Sequence, residues 1–389
     1  MDAFWKSLVG RMADMDADQC RKLLLQVRTE LVAEESVDAA IDAEIAELSA
    51  KLSAARFSDE LKMINARLVA LVAAHFKSRG SVSAVHEYST ACREQLLATA
   101  LTLAVDSLSL EGLTVPAARY ALLAFGNLGR REIRLSGAGP LVLVFEDGSS
   151  AGAEYSHRIA LRLEAILIEC SLSADTKANS GSRFWFGPVS RWLQEVGNGF
   201  AGADGSFATT FEMVADCRCL CGDKALAERA LDTAGSLMHD KLGNDGFRQY
   251  AKSVANMPFA LGIFGRLRTA RTGKHRGEFS LEDLAITPLI NAVRILAVHE
   301  GIIETATTAR IWSLLKSGSL SVNLANRLLA AFHNFIRYQT ELELQPDGNG
   351  KRFFNPDAFG DDARELFKDG LEDIGTLQRL VYQQIVEVV

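Results

Sequence analysis

The sequence lacks any apolar run long enough to cross a membrane. The longest, 96–105, has ten residues, two of which are threonine, whereas a transmembrane helix needs roughly 20. The first residues, Met1 to Trp5, also lack the basic and then apolar pattern of a signal peptide. We therefore expect no membrane partner and a cytoplasmic location.

Positive charge is scarce as well. There are 42 Lys and Arg residues against 49 Asp and Glu, which gives a net charge of −7. A general nucleic-acid binder needs a basic surface to neutralise phosphates, so we expect no nucleic-acid partner. The exception is a basic run over 266–276 that includes Lys274 and Arg276. It either holds an anionic ligand or an acidic partner, or is a solvated loop.

No pattern in the sequence predicts a metal site. The seven histidines show neither metal-ligand nor catalytic-triad spacing. Cys217, Cys219 and Cys221 alternate, but zinc sites commonly use Cys pairs two to four residues apart together with further ligands. We expect these cysteines to be small buried side chains.

Periodicity predicts a mainly helical α+β fold. No proline precedes Pro116, and helical apolar spacing runs through the first hundred residues and again from 223 to the end. Short apolar runs at 120–125 and 141–145 predict two buried strands. Segment 197–206 is rich in Gly, Ala, Ser, Asn and Asp and predicts a loop.

A chain of 389 residues with 48% hydrophobic content should form two or three domains. We predict an N-terminal helical arm over 1–60, a small mixed α/β domain with its preceding helices over 61–240, and a C-terminal helical domain over 241–389. Residues 16–56 could pair as a hairpin within one chain or form the seam of a homodimer.

The most informative motif follows the first predicted strand. Its glycines let the backbone approach an anion, and its arginines could contact phosphate in bidentate fashion. The alternative is that the glycines serve only the turn, while Arg130 and Glu132 form a structural ion pair. The candidate nucleotide-binding residues are Gly126, Asn127, Gly129, Arg130, Arg131 and Glu132.

This motif resembles that of a bacterial nucleotidyltransferase family whose members usually carry cyclic-nucleotide-binding and CBS modules. The family is related to protein-PII uridylyltransferase and glutamine-synthetase adenylyltransferase. Its motif reads Gly-Ser-x-Gly-Arg-x-Glu, a spacer and then Asp-x-Asp. Here Asn127 stands in place of the serine, and Gly137 and Gly139 stand where the resemblance places the two aspartates.

Further matches follow in order along the chain. The segment Asp216-Cys-Arg218, followed by Gly222-Asp223, resembles a family segment that leads into a helix, and Arg294 lies in a helix similar to that of the family's substrate-binding domain. Ser280-Leu281-Glu282 departs from the family's Asp-Leu-Lys. The resemblance thus adds secondary site candidates: Asp216, Arg218, Lys274, Arg276 and Arg294.

The two missing aspartates decide what chemistry the resemblance implies. Nucleotidyl transfer develops charge that Mg²⁺ normally stabilises, and Mg²⁺ is held by carboxylates beside the substrate phosphates. Glycine supplies no ligand. The first hypothesis is therefore a pseudoenzyme in signal transduction, a regulatory or protein-interaction module that can bind a nucleotide.

Two alternatives remain open at this point. An active transferase would use Mg²⁺ and a nucleoside triphosphate to uridylylate or adenylylate a protein. A helical scaffold would dimerise through residues 16–56.

Overall fold

A computed structural model gives the structure of the chain. The described residues are 39–113, 119–135, 139–148, 150–172, 184–202, 205–262, 265–345, 352–358 and 360–387. Contacts divide the chain into two units, 1–51 and 52–389. Most of the segment 16–56, predicted to form a hairpin or a dimer seam, lies outside the described residues. The predicted domain limits stay predictions.

The N-terminal helices follow the predicted apolar spacing. Helix α1 covers 39–54, α2 covers Ser58–Arg79 and α3 covers Val82–Leu110. Gly80 ends α2 in a left-handed conformation with φ 64°, which glycine adopts without strain. Ser81 then caps α3 by accepting a hydrogen bond from the backbone N–H of Ala84 at 3.2 Å.

A four-stranded mixed sheet follows α3. Strands β1 (Tyr120–Ala124) and β2 (Leu141–Phe145) lie at its centre and pair antiparallel. The edge strands are β3 (Phe184–Pro188), parallel to β2, and β4 (Arg218–Gly222), antiparallel to β1. The order is therefore β3-β2-β1-β4. A bulge in the β1–β4 pairing skips Leu220, so Cys219 and Cys221 flank an irregularity.

Four helices connect and cover the strands. The short helix α4 (Gly126–Gly129) follows β1, and α5 (Ser150–Glu169) links β2 to β3. After β3 come α6 (Val189–Ala201) and α7 (Ser206–Ala215). The loop predicted over 197–206 is wrong for its first residues, because Trp192, Val196 and Phe200 form a buried stripe that carries α6 through the small residues to Ala201.

The rest of the chain is a helical bundle. Helix α10 (Thr287–His299) is buried from Pro288 to Val298, so it forms the centre of this bundle. The bundle also contains a two-stranded ribbon of β5 (Phe279–Ser280) and β6 (Phe353–Phe354). Two π-helical turns, Glu282–Ile286 and Tyr382–Val386, interrupt its α-helices. The elements are α8 (Lys224–His239), α9 (Asp245–Ala255), β5 (Phe279–Ser280), α10 (Thr287–His299), α11 (Thr307–Lys316), α12 (Val322–Glu343), β6 (Phe353–Phe354) and α13 (Asp361–Val381).

The predicted fold class is confirmed: the described chain is mainly helical with one small mixed sheet and a two-stranded ribbon. Over the same residues, no helix combines the length and the apolarity that a bilayer crossing requires.

Gly129 allows α4 to pack directly on the backbone at the end of α7. A Cβ atom there would lie 2.0 Å from the carbonyl oxygen of Asp216 and 3.0 Å from that of Ala124. We expect Gly129→Ala to lower the free energy of unfolding by about 3 kcal/mol, because backbone on both sides must shift. Urea denaturation measures this change.

Gly235→Ala is the matched control. Gly235 lies within α8, and a Cβ there meets no atom within 4 Å. This substitution should stabilise the protein by about 0.5–1 kcal/mol, the usual gain for alanine over glycine in a helix. Equal effects of the two substitutions would contradict the close approach of α4 to Asp216.

Candidate functional site

The glycine turn after β1 uses most of its backbone N–H groups internally. The amide of Leu128 donates to Asn127 Oδ1 at 3.0 Å. The next four amides, from Gly129 to Glu132, donate to backbone carbonyls over 125–128 at 2.8–3.2 Å. An anion-binding nest needs free amides that point at the ligand. In this turn, the amides of residues 128–132 are committed to the turn itself.

Asp216, directly after α7, is the centre of a buried ionic cluster. Its side chain is fully buried. Oδ2 accepts hydrogen bonds from Arg130 Nη1 at 2.5 Å and from Arg294 Nη2 at 2.7 Å. Oδ1 accepts from Arg294 Nε at 3.0 Å and from Arg310 Nη1 at 2.8 Å. One carboxylate therefore holds three guanidinium groups, which we call the arginine hub: Asp216, Arg130, Arg294 and Arg310.

The three arginines are also bonded away from Asp216. Arg130 Nε donates to Glu132 Oε2 at 2.7 Å. Arg294 Nη1 donates to Asn291 Oδ1 at 2.5 Å. Arg310 donates from Nη2 to the carbonyl of Ala215 at 2.6 Å and from Nε to that of Glu304 at 2.8 Å. Each guanidinium thus has protein partners on more than one side, and none is directed at an open cleft.

Two further carboxylates balance the charge of the hub. Glu132 bonds Arg130, and the carboxylate of Glu212 lies 3.9 Å from Arg294 Nη1. Glu212 also accepts bonds from the Tyr250 hydroxyl and from Asn291 Nδ2, each at 3.0 Å. Three carboxylates thus face three guanidiniums. Burial is tolerated because the charges are paired and hydrogen-bonded.

Protonation of Asp216 is strongly disfavoured. Burial alone would raise the pKa of its carboxyl, but Arg294, Arg130 and Arg310 outweigh burial and hold the pKa well below its usual range. Tyr250 shows the opposite effect: burial and then the neighbouring Glu212 raise the pKa of its hydroxyl. Asp216 is therefore a fixed anion, while the Tyr250 hydroxyl stays neutral.

The cluster fastens the glycine turn to the C-terminal helices. Glu132 Oε1 accepts from the backbone N–H of Thr307, at the start of α11, at 2.7 Å. The hydroxyl of Thr305 donates to the carbonyl of Gly129 at 2.9 Å. Because α10 and α11 supply Arg294 and Arg310, the turn cannot move without breaking buried ion pairs.

Arg218 and Arg131 lie beside the hub. Arg218 Nε donates to the carbonyl of Gly129 at 2.9 Å, and its Nη2 bonds Glu94. Arg131 has a left-handed backbone with φ 58°. Its side chain is 64% exposed and 3.7 Å from Glu94 Oε1. Arg131 is thus the candidate arginine of the turn that faces solvent.

The segment where the resemblance places two aspartates carries no acidic side chain. The sequence has no acidic residue between Glu132 and Glu146. Gly137 lies outside the described residues. Gly139 has φ +77°, and a Cβ there would lie 2.5 Å from Leu128 Cβ. Across the described part of the chain, no three His, Cys, Asp or Glu side chains are grouped so that they could hold a metal ion.

The acidic residues that follow β2 have other partners. Glu146 pairs with Arg119. Asp147 accepts a bond from the backbone N–H of Ser190, in the first turn of α6, at 3.1 Å. Both are therefore committed to structural contacts.

Cys217, Cys219 and Cys221 are half-buried, not fully buried as predicted from the sequence. Burial raises the pKa of Cys217 and of Cys221 to about 12, so both stay protonated near neutral pH. Protonated thiols are poor metal ligands.

The structure brings together some candidates and separates others. Arg130, Asp216 and Arg294 meet in the hub, and Glu132 bonds Arg130 beside it. Lys274 and Arg276 lie in an exposed loop before β5 and make no hydrogen bond or ion pair to the hub among the described residues. Glu282 accepts a bond from Gln339 at 2.7 Å.

Sequence reasoning did not assign roles to Arg310, Glu212, Asn291 and Tyr250. A signal existed for two of them. Arg310 shares the buried face of α11 with Ile311 and Leu314. Asn291 precedes Arg294 by one helical turn inside the otherwise apolar α10. Polar side chains at such core positions need buried partners.

Asp216→Asn tests the hub. The amide keeps the shape but removes the charge, and this leaves an unbalanced guanidinium in the core. We expect the free energy of unfolding to fall by about 3–5 kcal/mol. Glu146→Gln, at the more exposed pair with Arg119, should cost less than about 1 kcal/mol. Urea denaturation measures both changes. Similar decreases in the free energy of unfolding for the two variants would contradict the buried ionic role of Asp216.

The pH dependence of stability provides a second test of Asp216. Because its folded pKa is depressed, its contribution is present above the unfolded value of about 3.9 and is lost as the pH falls below it. The unfolded chain then takes up the proton first. The wild-type protein should lose stability more steeply than Asp216→Asn below about pH 4. Parallel acid-unfolding curves of the two proteins would be the contrary result.

Two family models match the chain. Residues 66–205 match the model described as "Putative nucleotidyltransferase DUF294", and residues 244–385 match the "Putative nucleotidyltransferase substrate binding domain". No curated protein matches the chain. The two models together cover more than two thirds of the sequence, and Asp216 lies in the segment between them. The chain belongs to the nucleotidyltransferase family that these two models define.

Proposed function

We propose that this chain is a nucleotidyltransferase-like protein with a degenerate metal site, and that it acts as a regulatory or protein-interaction module. The observation that carries the proposal is the burial and ion pairing of Asp216. This carboxylate, which the resemblance places among the site candidates, is fully buried and bonded to three arginines.

The reaction explains why this observation matters. Transfer of a nucleotidyl group needs divalent cations to stabilise charge on the reacting phosphoryl group. Mg²⁺ needs near-octahedral oxygen ligands, usually with one or two carboxylates. To bind Mg²⁺, Asp216 would have to leave three guanidiniums, and residues 133–145 offer no acidic replacement. Removing one partner from a buried ion pair costs about 3–5 kcal/mol, so the hub opposes a move of Asp216 to a metal.

The turn supports at most a weak, metal-independent nucleotide contact. Arg131 is exposed beside it, but Arg130 is buried in the hub and the amides of 128–132 are bonded within the turn. Among the arginines of the turn, an anion at this place would therefore meet the exposed Arg131. We infer that the retained fold serves a partner protein and not a transfer reaction.

Isothermal titration with ATP and with UTP, each with and without Mg²⁺, tests the proposal. We expect Mg²⁺ to leave the binding heat unchanged. An α-labelled nucleotide should transfer no label to protein above the background of heat-denatured chain. Arg131→Glu is the matched variant for a charge contact with the nucleotide, because its side chain lies outside the hub. Metal-dependent binding or label transfer by the wild-type protein would overturn the proposal.

Gly139→Asp tests whether the site is merely missing one ligand. The new Cβ would lie 2.5 Å from Leu128 Cβ in a backbone conformation that favours glycine. We expect a loss of about 2–3 kcal/mol in the free energy of unfolding and no gain of Mg²⁺ binding. Thermal melts with and without Mg²⁺ show both effects. A melting temperature raised by Mg²⁺ would mean that the site had kept its other ligands.

A further inference from the structure

The loop between α9 and β5 concentrates positive charge on the surface of an acidic protein. We call residues 265–278 the basic loop. The described residues provide no ion-pair partner for its five exposed cations. Within the loop, His275 Nδ1 lies 2.6 Å from Glu278 Oε2. The five cations are Arg266, Arg268, Arg271, Lys274 and Arg276.

The basic loop has a defined backbone. Arg268 donates its N–H to the carbonyl of Ala260 at 2.8 Å, and the carbonyl of Arg266 accepts from Gly262 at 2.7 Å. Ala270 donates to the carbonyl of Glu278 at 2.8 Å. The His275 ring stacks on Phe353 with 3.9 Å between centroids. The cations therefore stand on an ordered frame, which lowers the entropy cost of binding a partner.

A groove adjoins this loop. It has a volume of about 630 Å³ and is lined by residues over 255–259, by α13, and by the π-helical turn that follows it together with Glu387. Phe259 and Tyr382 line it and are 39% and 41% exposed. The Phe259 ring packs against Gly375, where a Cβ would lie 2.7 Å away. Ala260, which bonds Arg268, follows Phe259 directly, so the groove and the basic loop are contiguous.

We propose that the basic loop and this groove bind an acidic, extended segment of a partner protein, with one apolar side chain in the groove. Arginine's planar fork matches carboxylates, and Phe259 with Tyr382 offers an aromatic contact of the kind common at interfaces. A nucleic acid is a less suitable partner than a short acidic segment. Its negative charge would extend beyond the basic loop and be repelled by the rest of the protein, whose net charge is −7. This inference names the partner chemistry for the proposed interaction role and rests on that role.

Fluorescence anisotropy with a short labelled peptide of glutamates and one central phenylalanine tests the proposal on the full chain. At about 0.15 M salt, the triple variant Arg268→Glu, Arg271→Glu and Arg276→Glu should bind at least about tenfold more weakly than wild type. Phe259→Ala should weaken binding about threefold or more and leave the salt dependence unchanged. A triple variant that binds as tightly as wild type would overturn the proposal.

The matched control replaces three exposed lysines outside the loop, Lys62, Lys77 and Lys316, with glutamate. It changes the net charge by the same amount and should bind the peptide within about twofold of wild type. An equal loss in this control would reduce the effect to overall charge and contradict the site. Tighter binding of a single-stranded oligonucleotide or of anionic vesicles than of the peptide would likewise overturn the choice of partner.

The nucleotide titrations and the peptide assay can refute the proposed function and the docking site separately. Metal-dependent nucleotide binding would remove the proposed function and leave the loop result intact. Loss of peptide binding alone would remove only the docking site.

Discussion

The buried pairing of Asp216 with Arg130, Arg294 and Arg310 is the interaction on which the rest of the structure depends. Taking one carboxylate and three guanidiniums out of water is costly unless every charge has a partner. Here Glu132 and Glu212 complete the balance. The hub consequently fixes the position of the glycine turn, of α10 and of α11 relative to one another.

Because of the hub, the motif residues of the turn make structural contacts within the protein. Arg130 and Glu132 match a motif associated with phosphate handling, yet in this chain they pair with each other and with Asp216. Gly129 lets the turn approach the Asp216 carbonyl. The alternative considered from the sequence, a structural turn with an internal ion pair, describes the observed contacts of these three residues.

Sequence patterns predicted the central strands and most helices because their apolar spacing is strong. Strands β1 and β2 are buried on both faces and read as continuous apolar runs. The edge strands β3 and β4 are mostly half-buried, and β4 contains a bulge, so their patterns are weak. The hub could not be read from spacing, since its bonds join residues 86, 78 and 94 positions apart.

An anomalous difference map from crystals grown with Mn²⁺ and a non-hydrolysable nucleoside triphosphate tests most directly the proposal that the metal site is degenerate. We expect no metal peak beside the turn at Gly126 or beside Gly139, and we expect both oxygens of Asp216 to remain bonded to the three arginines. A metal peak with two carboxylate oxygens at about 2.1 Å, the distance that Mg²⁺ requires, would contradict the degenerate site and favour an active transferase.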